Sequence, residues 1–316
     1  MAITAKELAR KLNISATAVS MALNNKPGVS TETRKQIIHA AEKYGYDFTK
    51  LSFKKNQAGE IYCIIYKSHN AILKYTPIFS KLTDGIGQVC EKEGYHLKLV
   101  QINENIDNVH KWIEDIRIAN CAGVILLGTE ISLSAAKAFI SLSVPVVLLD
   151  SYFDTLGCSS VLINNEQGAY LATNYLIDRY NKQPGHLCSS YKIENFEARK
   201  NGFIKAIREH GMSVAKSITH DLPPSIDGSL ADMLEYINSG GSLAECYFSD
   251  NDLIAIGAMK ALKLSGYKIP DDISIIGFDN VHESHVVEPS LTTIDIPREF
   301  MGQTAARQLI YEISNP

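Results

Sequence analysis

Several apolar runs in the body of this 316-residue chain end in acids or amides: VPVVLLD ends at Asp150, AECYFSDND at Asp250-Asn251-Asp252, and ISIIGFDN at Asp279-Asn280. Arg199 falls early in a helix-length stretch after GHLCSSYKIENF, four residues before Phe203. Carboxylates, amides and a guanidinium around one cleft suit a polyhydroxylated ligand. Each can bridge adjacent hydroxyls with paired hydrogen bonds, and charged partners contribute ~1.5–3 kcal/mol each. Tyr75, Phe79, Tyr191 and Phe196 offer apolar faces on which a ring can stack. Any one of these acids serves equally well as a helix cap or a surface-loop residue, so the argument rests on their convergence.

Short apolar runs alternate with helix-length amphipathic stretches from residue 61 onward. IYCIIY, HLKLVQ, AGVILLG and VPVVLLD read as strands, with helices at 77–93, 107–118 and 133–142. A second set follows: SSVLINN, a helix at 165–180, GHLCSS, a helix at 194–210, AECYFS, a helix at 251–264, and ISIIGF. Continuous β-branched runs between helices predict parallel sheets covered on both faces. Two such sets predict an α/β body of two similar lobes, with ligands collecting at the carboxyl ends of the strands.

The first sixty residues differ in charge and pattern. They hold ten Lys/Arg against five Asp/Glu, while the remaining 256 hold 21 against 30. A small basic head on an acidic body suggests that the head alone meets a polyanion. Thr4 and Glu7 have capping-box spacing for a first helix, with Ile3, Leu8, Ala9 and Leu12 on one side. Asn13 stands where the chain must turn sharply, and Asn tolerates left-handed angles. Ser15 caps a second helix whose Ala18, Val19, Ala22 and Leu23 face inward, leaving Ala16, Thr17, Ser20, Met21 and Asn24 outward. Ser30 caps a third helix with Ile37, Ile38 and Ala41 as its buried stripe. Two helices over a short turn, the second lined with small residues, fit a DNA major groove.

The run T-x-x-E-L-A-x-x-x-x-I-S-x-x-x-V-S-x-x-L-N at 4–24, followed by V-S-x-x-T-R and the Gly-Tyr at 45–46, resembles the DNA-binding head of the lactose-repressor/galactose-repressor family. The body is similar to the same family's effector domain through N-D-x-x-A-x-G-A-x-x-A-L at 251–262, G-x-x-I-P-x-D-x-S-I-x-G-F-D-N at 266–280 and P-x-L-T-T-I at 289–294. The resemblance implies a helix-turn-helix domain at 1–46, a hinge at 47–60, and a two-lobed effector-binding and dimerisation domain at 61–316. It implies base-reading positions at Ala16, Thr17 and Met21, and phosphate contacts at Thr4, Ser15, Ser20, Asn24, Ser30 and Thr33. Met21 stands where an Arg is usual, which exchanges a guanine contact for one suited to a thymine methyl. The minor-groove Leu of the hinge is missing, leaving Leu51 or Phe53 as the wedge, or no wedge at all. Lys50, Lys54 and Lys55 could neutralise phosphates.

In the body, Asp150, Arg199, Asn251 and Asp279 match ligand-contact positions of sugar-binding members. In KSHNAILKYTPIFSKL only Pro77 and Phe79 fit the common pattern, while His69, Lys74 and Tyr75 are idiosyncratic. Asn164 stands where an Asp is common. Members generally continue past R-Q-L-I-Y-E-I into a final strand, whereas this sequence stops at Pro316, which leaves open a trimmed chain or a second lobe one strand short. The resemblance thus implies a cytoplasmic homodimeric repressor of double-stranded operator DNA, controlled by a small effector, a sugar or sugar derivative. Two other classes compete with this reading. A free sugar-binding transport protein predicts a signal peptide and no basic head, whereas MAITAKELARKL is amphipathic and charged. An architectural DNA binder with a vestigial pocket predicts no ligand response.

Enzyme and cofactor readings find little support. No G-x-x-x-x-G-K-S/T loop or G-x-S-x-G elbow is present, and SGGS at 239–242 reads as a turn. HESH at 282–285 lacks H-E-x-x-H spacing, so no metal site is expected there. Six cysteines at 63, 90, 121, 158, 188 and 246 contain no C-x-x-C pair and read as reduced thiols. No apolar run approaches the ~20 residues of a membrane helix.

Overall fold

The computed structural model describes residues 3–24, 28–47, 59–68, 78–119 and 121–315. Leu51, Phe53 and Tyr75 lie outside the described residues, as do hinge residues 48–58 with Lys50, Lys54 and Lys55, and also His69, Lys74 and Pro77.

Three helices form the head: α1 (Ala5–Leu12), α2 (Ala16–Leu23) and α3 (Thr31–Lys43). Their starts follow the cap chemistry. Thr4 and Glu7 close a capping box around the first turn of α1, the Ser15 hydroxyl accepts from Ala18 N–H, and the Ser30 hydroxyl accepts from Thr33 N–H. Asn13 ends α1 at φ 54° in the left-handed region, which supplies the sharp turn without a glycine. Leu8, Ala9, Val19, Ala22, Leu23, Ile37, Ala40 and Ala41 make the head's core. Fully burying each larger aliphatic there contributes about 1.5–3 kcal/mol. Arg34 is itself buried and donates to the Ala22 carbonyl at 3.1 Å, so α3 ties down the end of α2.

Among the described residues the body holds two five-stranded parallel sheets. The first runs β2 (His96–Asn103), β1 (Glu60–Lys67), β3 (Cys121–Leu127), β4 (Val146–Leu149) and β5 (Ser160–Val161). The second runs β10 (Thr292–Asp295), β9 (Ser274–Asp279), β8 (Cys246–Ser249), β6 (Gly185–Ser189) and β7 (Thr219–Leu222). Read in chain order, both follow the same doubly wound 2-1-3-4-5 pattern. That pattern places a crevice at the carboxyl ends beside β1/β3 and β6/β8. Helices α4 (Ile78–Lys92), α5 (Val109–Ile118) and α6 (Leu133–Ile140) cover the first sheet. Helices α7 (Asn165–Tyr180), α8 (Glu194–Glu209), α9 (Ile226–Asn238) and α10 (Asp252–Leu264) cover the second, with the short α11 (His282–Val286) after β9.

The lobes are not consecutive in sequence. After β10 the chain crosses back, and α12 (Arg298–Ser314) packs Met301, Ala305, Ala306 and Leu309 into the first lobe's core beside Leu82 and Ile86 of α4. Two segments therefore cross between lobes, one at 162–164 and one at 296–297. The close approach of α4 and α12 depends on missing side chains: a Cβ on Gly302 would stand 2.1 Å from the Leu82 carbonyl oxygen, and one on Gly85 would stand 2.2 Å from that of Glu299. Backbone cannot yield as a side-chain tip can. All six cysteines are free, and among the described residues no helix is long and apolar enough to cross a membrane.

Gly302→Ala should therefore force α4 and α12 apart and cost ~1–3 kcal/mol, the usual penalty of overpacking. Urea denaturation reads this as a lowered midpoint; an unchanged midpoint would show that the helices separate freely.

Candidate functional site

On the head, α2 leaves Ala16, Thr17 and Ser20 exposed, with Met21 and Asn24 half-exposed. Small groups on that face let the helix backbone approach another surface closely. The Met21 sulfur lies 3.4 Å from where a Cβ on Gly28 would sit. Asn24 donates to the Ser20 carbonyl at 2.8 Å and closes the end of the helix. Thr4, Ser15 and Ser30 stand at helix N-termini, where the helix dipole and free N–H groups favour anions such as phosphate. Thr33 lies in the first turn of α3, its hydroxyl 2.7 Å from that of Ser30.

In the body, Asp150, Asn195, Arg199 and Asp279 form one cluster drawn from both lobes. Asp150 follows β4 and accepts from the Thr129 hydroxyl at 2.6 Å and from the Asn195 amide at 3.0 Å. Asn195 belongs to α8, so this second bond bridges the lobes. Arg199, one turn further along α8 and only 4% exposed, is held on every side. Its Nε donates to Asn165 at 2.8 Å, one terminal nitrogen donates to the Asp250 carbonyl, and the other pairs with Asp279 at 3.1 Å. The Phe278 ring lies 3.7 Å beneath the guanidinium and Phe196 flanks it at 5.5 Å. From the other lobe, Arg298 at the start of α12 donates to the Asp279 carbonyl.

The backbone is strained where these groups sit. Asp150, Asp279 and Asn280 have φ values of 60°, 112° and 53°. Non-glycine residues in such conformations cost about 1–3 kcal/mol each and persist only where surroundings over-determine them.

Charge in the cluster is unbalanced. Burial pushes the Asp150 and Asp279 carboxyls above the usual carboxylate range, with Arg199 the main opposing charge for Asp279 and the Thr129 bond the main opposition for Asp150. Asp252 is pushed up to about 7, chiefly by burial and then by Asp279, against the hydrogen bond from Thr293. Its oxygens accept from Thr293 at 2.5 Å and from Val281 N–H at 2.9 Å, which pins the loop that carries Asp279.

The remaining sequence candidates are placed differently. Asn251 is buried and its side-chain oxygen caps α10, accepting from Ile254 N–H at 2.9 Å. Phe79 is half-buried and packs against the first lobe's core. Tyr191 stands 40% exposed at the rim beyond β6. Thr129, Asn165, Asn195, Phe278 and Arg298 were not singled out from the sequence; a strand-end or helix-start position was their sole signal. Asn164 caps α7 through a 2.9 Å bond from Gln167 N–H, a role an Asp would fill equally. A separate cavity of about 350 Å3 lies against the crossing segments, lined by Val161, Ile163, Ile294, Ile296 and Phe300, with Phe278 as a shared wall. None of the cluster's acids lines it, so the polar chemistry lies on the other side of Phe278. Both histidines of HESH are exposed on α11.

Residues 4–47 match the family described as bacterial regulatory proteins, lacI family, and residues 173–316 match a periplasmic binding protein-like domain. The HTH-type transcriptional repressor PurR of Pasteurella multocida is 29% identical over 317 residues, spanning 98% of this chain and 92% of that protein. The solved structure of a transcriptional regulator CelR–cellobiose complex superposes with a TM-score of 0.71 at 22% identity, covering 99% of this chain and 93% of its own. A LacI family regulator from Enterococcus faecium with bound ribose gives 0.68 at 25% identity, covering 81% and 91%. The head is thus that of the lacI family of bacterial regulatory proteins, and the second lobe is part of a periplasmic binding protein-like domain.

The Asp252 carboxyl gives a test of the site's electrostatics. Folded, it titrates near 7; unfolded, near ~3.9. Between those values the folded state keeps a proton that the unfolded chain has lost, so this group's contribution to stability falls as pH rises from about 4 to 7 and is flat above. The unfolding free energy of the wild type minus that of Asp252→Asn should fall across that window. A difference independent of pH would contradict the placement.

Proposed function

We propose that this chain is a ligand-controlled, DNA-binding repressor whose effector is a neutral, polyhydroxylated molecule, a sugar or close derivative, bound between the lobes by Asp150, Asn195, Arg199 and Asp279. The observation that supports it is the surplus of buried acceptors: raised carboxyls gathered around a fully engaged guanidinium. Hydroxyl donors relieve that surplus, whereas an anionic ligand adds to it. The ribose-bound relative from Enterococcus faecium agrees with this chemistry. Phe196, Tyr191 and Tyr75 serve as ring-facing neighbours, and Phe79, in the first turn of α4, packs against the first lobe's core.

In this reading residues 1–46 read DNA, 47–60 form the hinge, and 61–316 bind effector and dimerise. One α2 covers only a few base pairs, so a two-fold pair of heads on a palindromic operator supplies the remaining specificity. Ala16, Thr17 and Met21 face the bases. Thr4, Ser15, Ser20, Asn24, Ser30 and Thr33 hold the phosphates, with Leu51 or Phe53 at the minor groove. An effector that prefers one lobe arrangement by ~1–3 kcal/mol shifts the spacing of the two heads. The protein acts in the cytoplasm, where its DNA lies, and needs no reaction to do so.

Thermal unfolding of the full chain against mono- and disaccharides, with purine bases alongside, tests the effector class. A matching sugar at a hundred times its Kd should add ~2.7 kcal/mol, and Asp279→Ala or Arg199→Ala should abolish that gain. Stabilisation by purine bases alone would overturn the sugar reading; no response to any compound would favour an architectural DNA binder with a vestigial pocket.

A further inference from the structure

Asp250 meets Arg199 with its main-chain carbonyl, while its carboxylate is held by β6. In the neighbouring β8, Ser249 lies opposite Leu187, so Asp250 leaves the sheet level with Cys188. Its N–H donates to the Leu187 carbonyl at 3.0 Å. One carboxylate oxygen accepts from Ser189 N–H at 2.8 Å, and the other lies 2.7 Å from His186 Nε2. With the amide and both carboxylate oxygens bound to β6, the carbonyl is the one group left for Arg199. His186 is fixed in turn. It shares a face of β6 with Cys188, whose Sγ lies 3.0 Å from Nδ1. Burial raises that thiol well above its usual range and keeps it protonated. The thiol therefore donates to Nδ1, which leaves Nε2 as the N–H that donates to Asp250. Phe203 and Phe248 stack on the ring at 4.7 and 5.5 Å and set its plane. Phe203 stands one turn beyond Arg199 on α8, so that helix meets the network at two successive turns. All three polar residues are buried, and their side-chain polar atoms are all met within the cluster.

We propose that Asp250, held by the relay from Cys188 through His186, is a positioning residue for effector binding: it fixes the carbonyl that orients Arg199 and does not itself touch the effector. The proposal rests on the reading of Asp150, Asn195, Arg199 and Asp279 as the effector site. Arg199 is buried, and its donors are shared among Asn165, the Asp250 carbonyl and Asp279. If the carbonyl is free to turn, one terminal nitrogen loses its acceptor and the guanidinium is no longer fixed against Asp279. A buried donor left unmet is costly. A binding group whose own supports are loose also holds its ligand less well. Sequence spacing conceals the relay, since Asp250 lies 64 residues beyond His186.

Calorimetric titration of the full chain with D-ribose and with cellobiose, sugars bound by two of its structural relatives, tests this. Asp250→Ala should bind at least ~10-fold more weakly, the scale of a lost hydrogen bond to a charged group. Asp250→Asn keeps the side chain's shape and an acceptor for Ser189, so it should stay within ~3-fold of wild type. His220→Gln alters another buried histidine of the same lobe, one that meets Tyr247 instead, and should leave affinity unchanged. Wild-type affinity in Asp250→Ala, or an equal loss in His220→Gln, overturns the proposal. Arginine side-chain 15N spectra read the same claim without a sugar. The Arg199 Nε–H, assigned by its loss in Arg199→Lys, should exchange with solvent at least ~10-fold faster in Asp250→Ala than in wild type; equal exchange overturns the proposal. Should the wild type bind neither sugar, the effector reading fails for them and these exchange rates alone decide. Should Asp250→Ala fail to fold, His186→Leu decides by the same two measurements. Leucine fills the space between Phe203 and Phe248 but leaves the carboxylate without its donor, so wild-type values there overturn the relay. In the wild type, histidine 15N shifts should show His186 protonated at Nε2 and bare at Nδ1; the opposite tautomer overturns the relay as well.

Discussion

Arg199 is the fixed point of the body. A buried guanidinium tolerates removal from water only when its donors are met by well-placed acceptors. Here they reach Asn165 on α7, the Asp250 carbonyl beyond β8 and the Asp279 carboxylate beyond β9. Those three acceptors come from separate segments of the second lobe, and the residue's own helix supplies Asn195, which reaches Asp150 in the first lobe. One side chain thus fixes the geometry in which acids from both lobes face the same space. Removing the cation would leave those carboxyls more heavily penalised, since Arg199 is among the groups that oppose their upward shift.

The first lobe answers through α12. Because the chain crosses back after β10, the residue that opens α12, Arg298, holds the Asp279 carbonyl from the opposite lobe. Behind it, α12 and α4 meet backbone to backbone at Gly302 and Gly85. A shift at Asp279 is therefore delivered to a tightly packed helix pair rather than dissipated in a loose interface. Packed elements of this kind respond by moving as units.

The sheets and most of their helices were legible because their signals are local. Apolar runs mark β1, β3, β4, β8 and β9, β-branched in all but β8, and the caps at Thr4, Ser15 and Ser30 mark the head. The edge strands β7 and β10 were not legible: THDL and TTID are short and polar, with only one face or neither face fully buried. The return of α12 to the first lobe was equally hidden, since an amphipathic helix does not announce which sheet it covers. Of the cleft residues, Asp150, Arg199 and Asp279 could be found at strand and helix ends. Asn195 and Arg298 could not, because their roles exist only across the lobe boundary. Asn251 shows the opposite case, where a cap and a ligand contact share one signal and the oxygen is seen capping α10.

The central claim is that occupancy of this two-lobed acidic cluster governs how the head sits on DNA. Its most direct test is recovery of fragmented host DNA by the full chain at fixed salt, with and without a low-molecular-weight extract of the host. The account predicts enrichment of one palindromic sequence, altered by the extract for the wild type and unaltered for Asp279→Ala. No enriched palindrome, or an extract response that survives in Asp279→Ala, would contradict it.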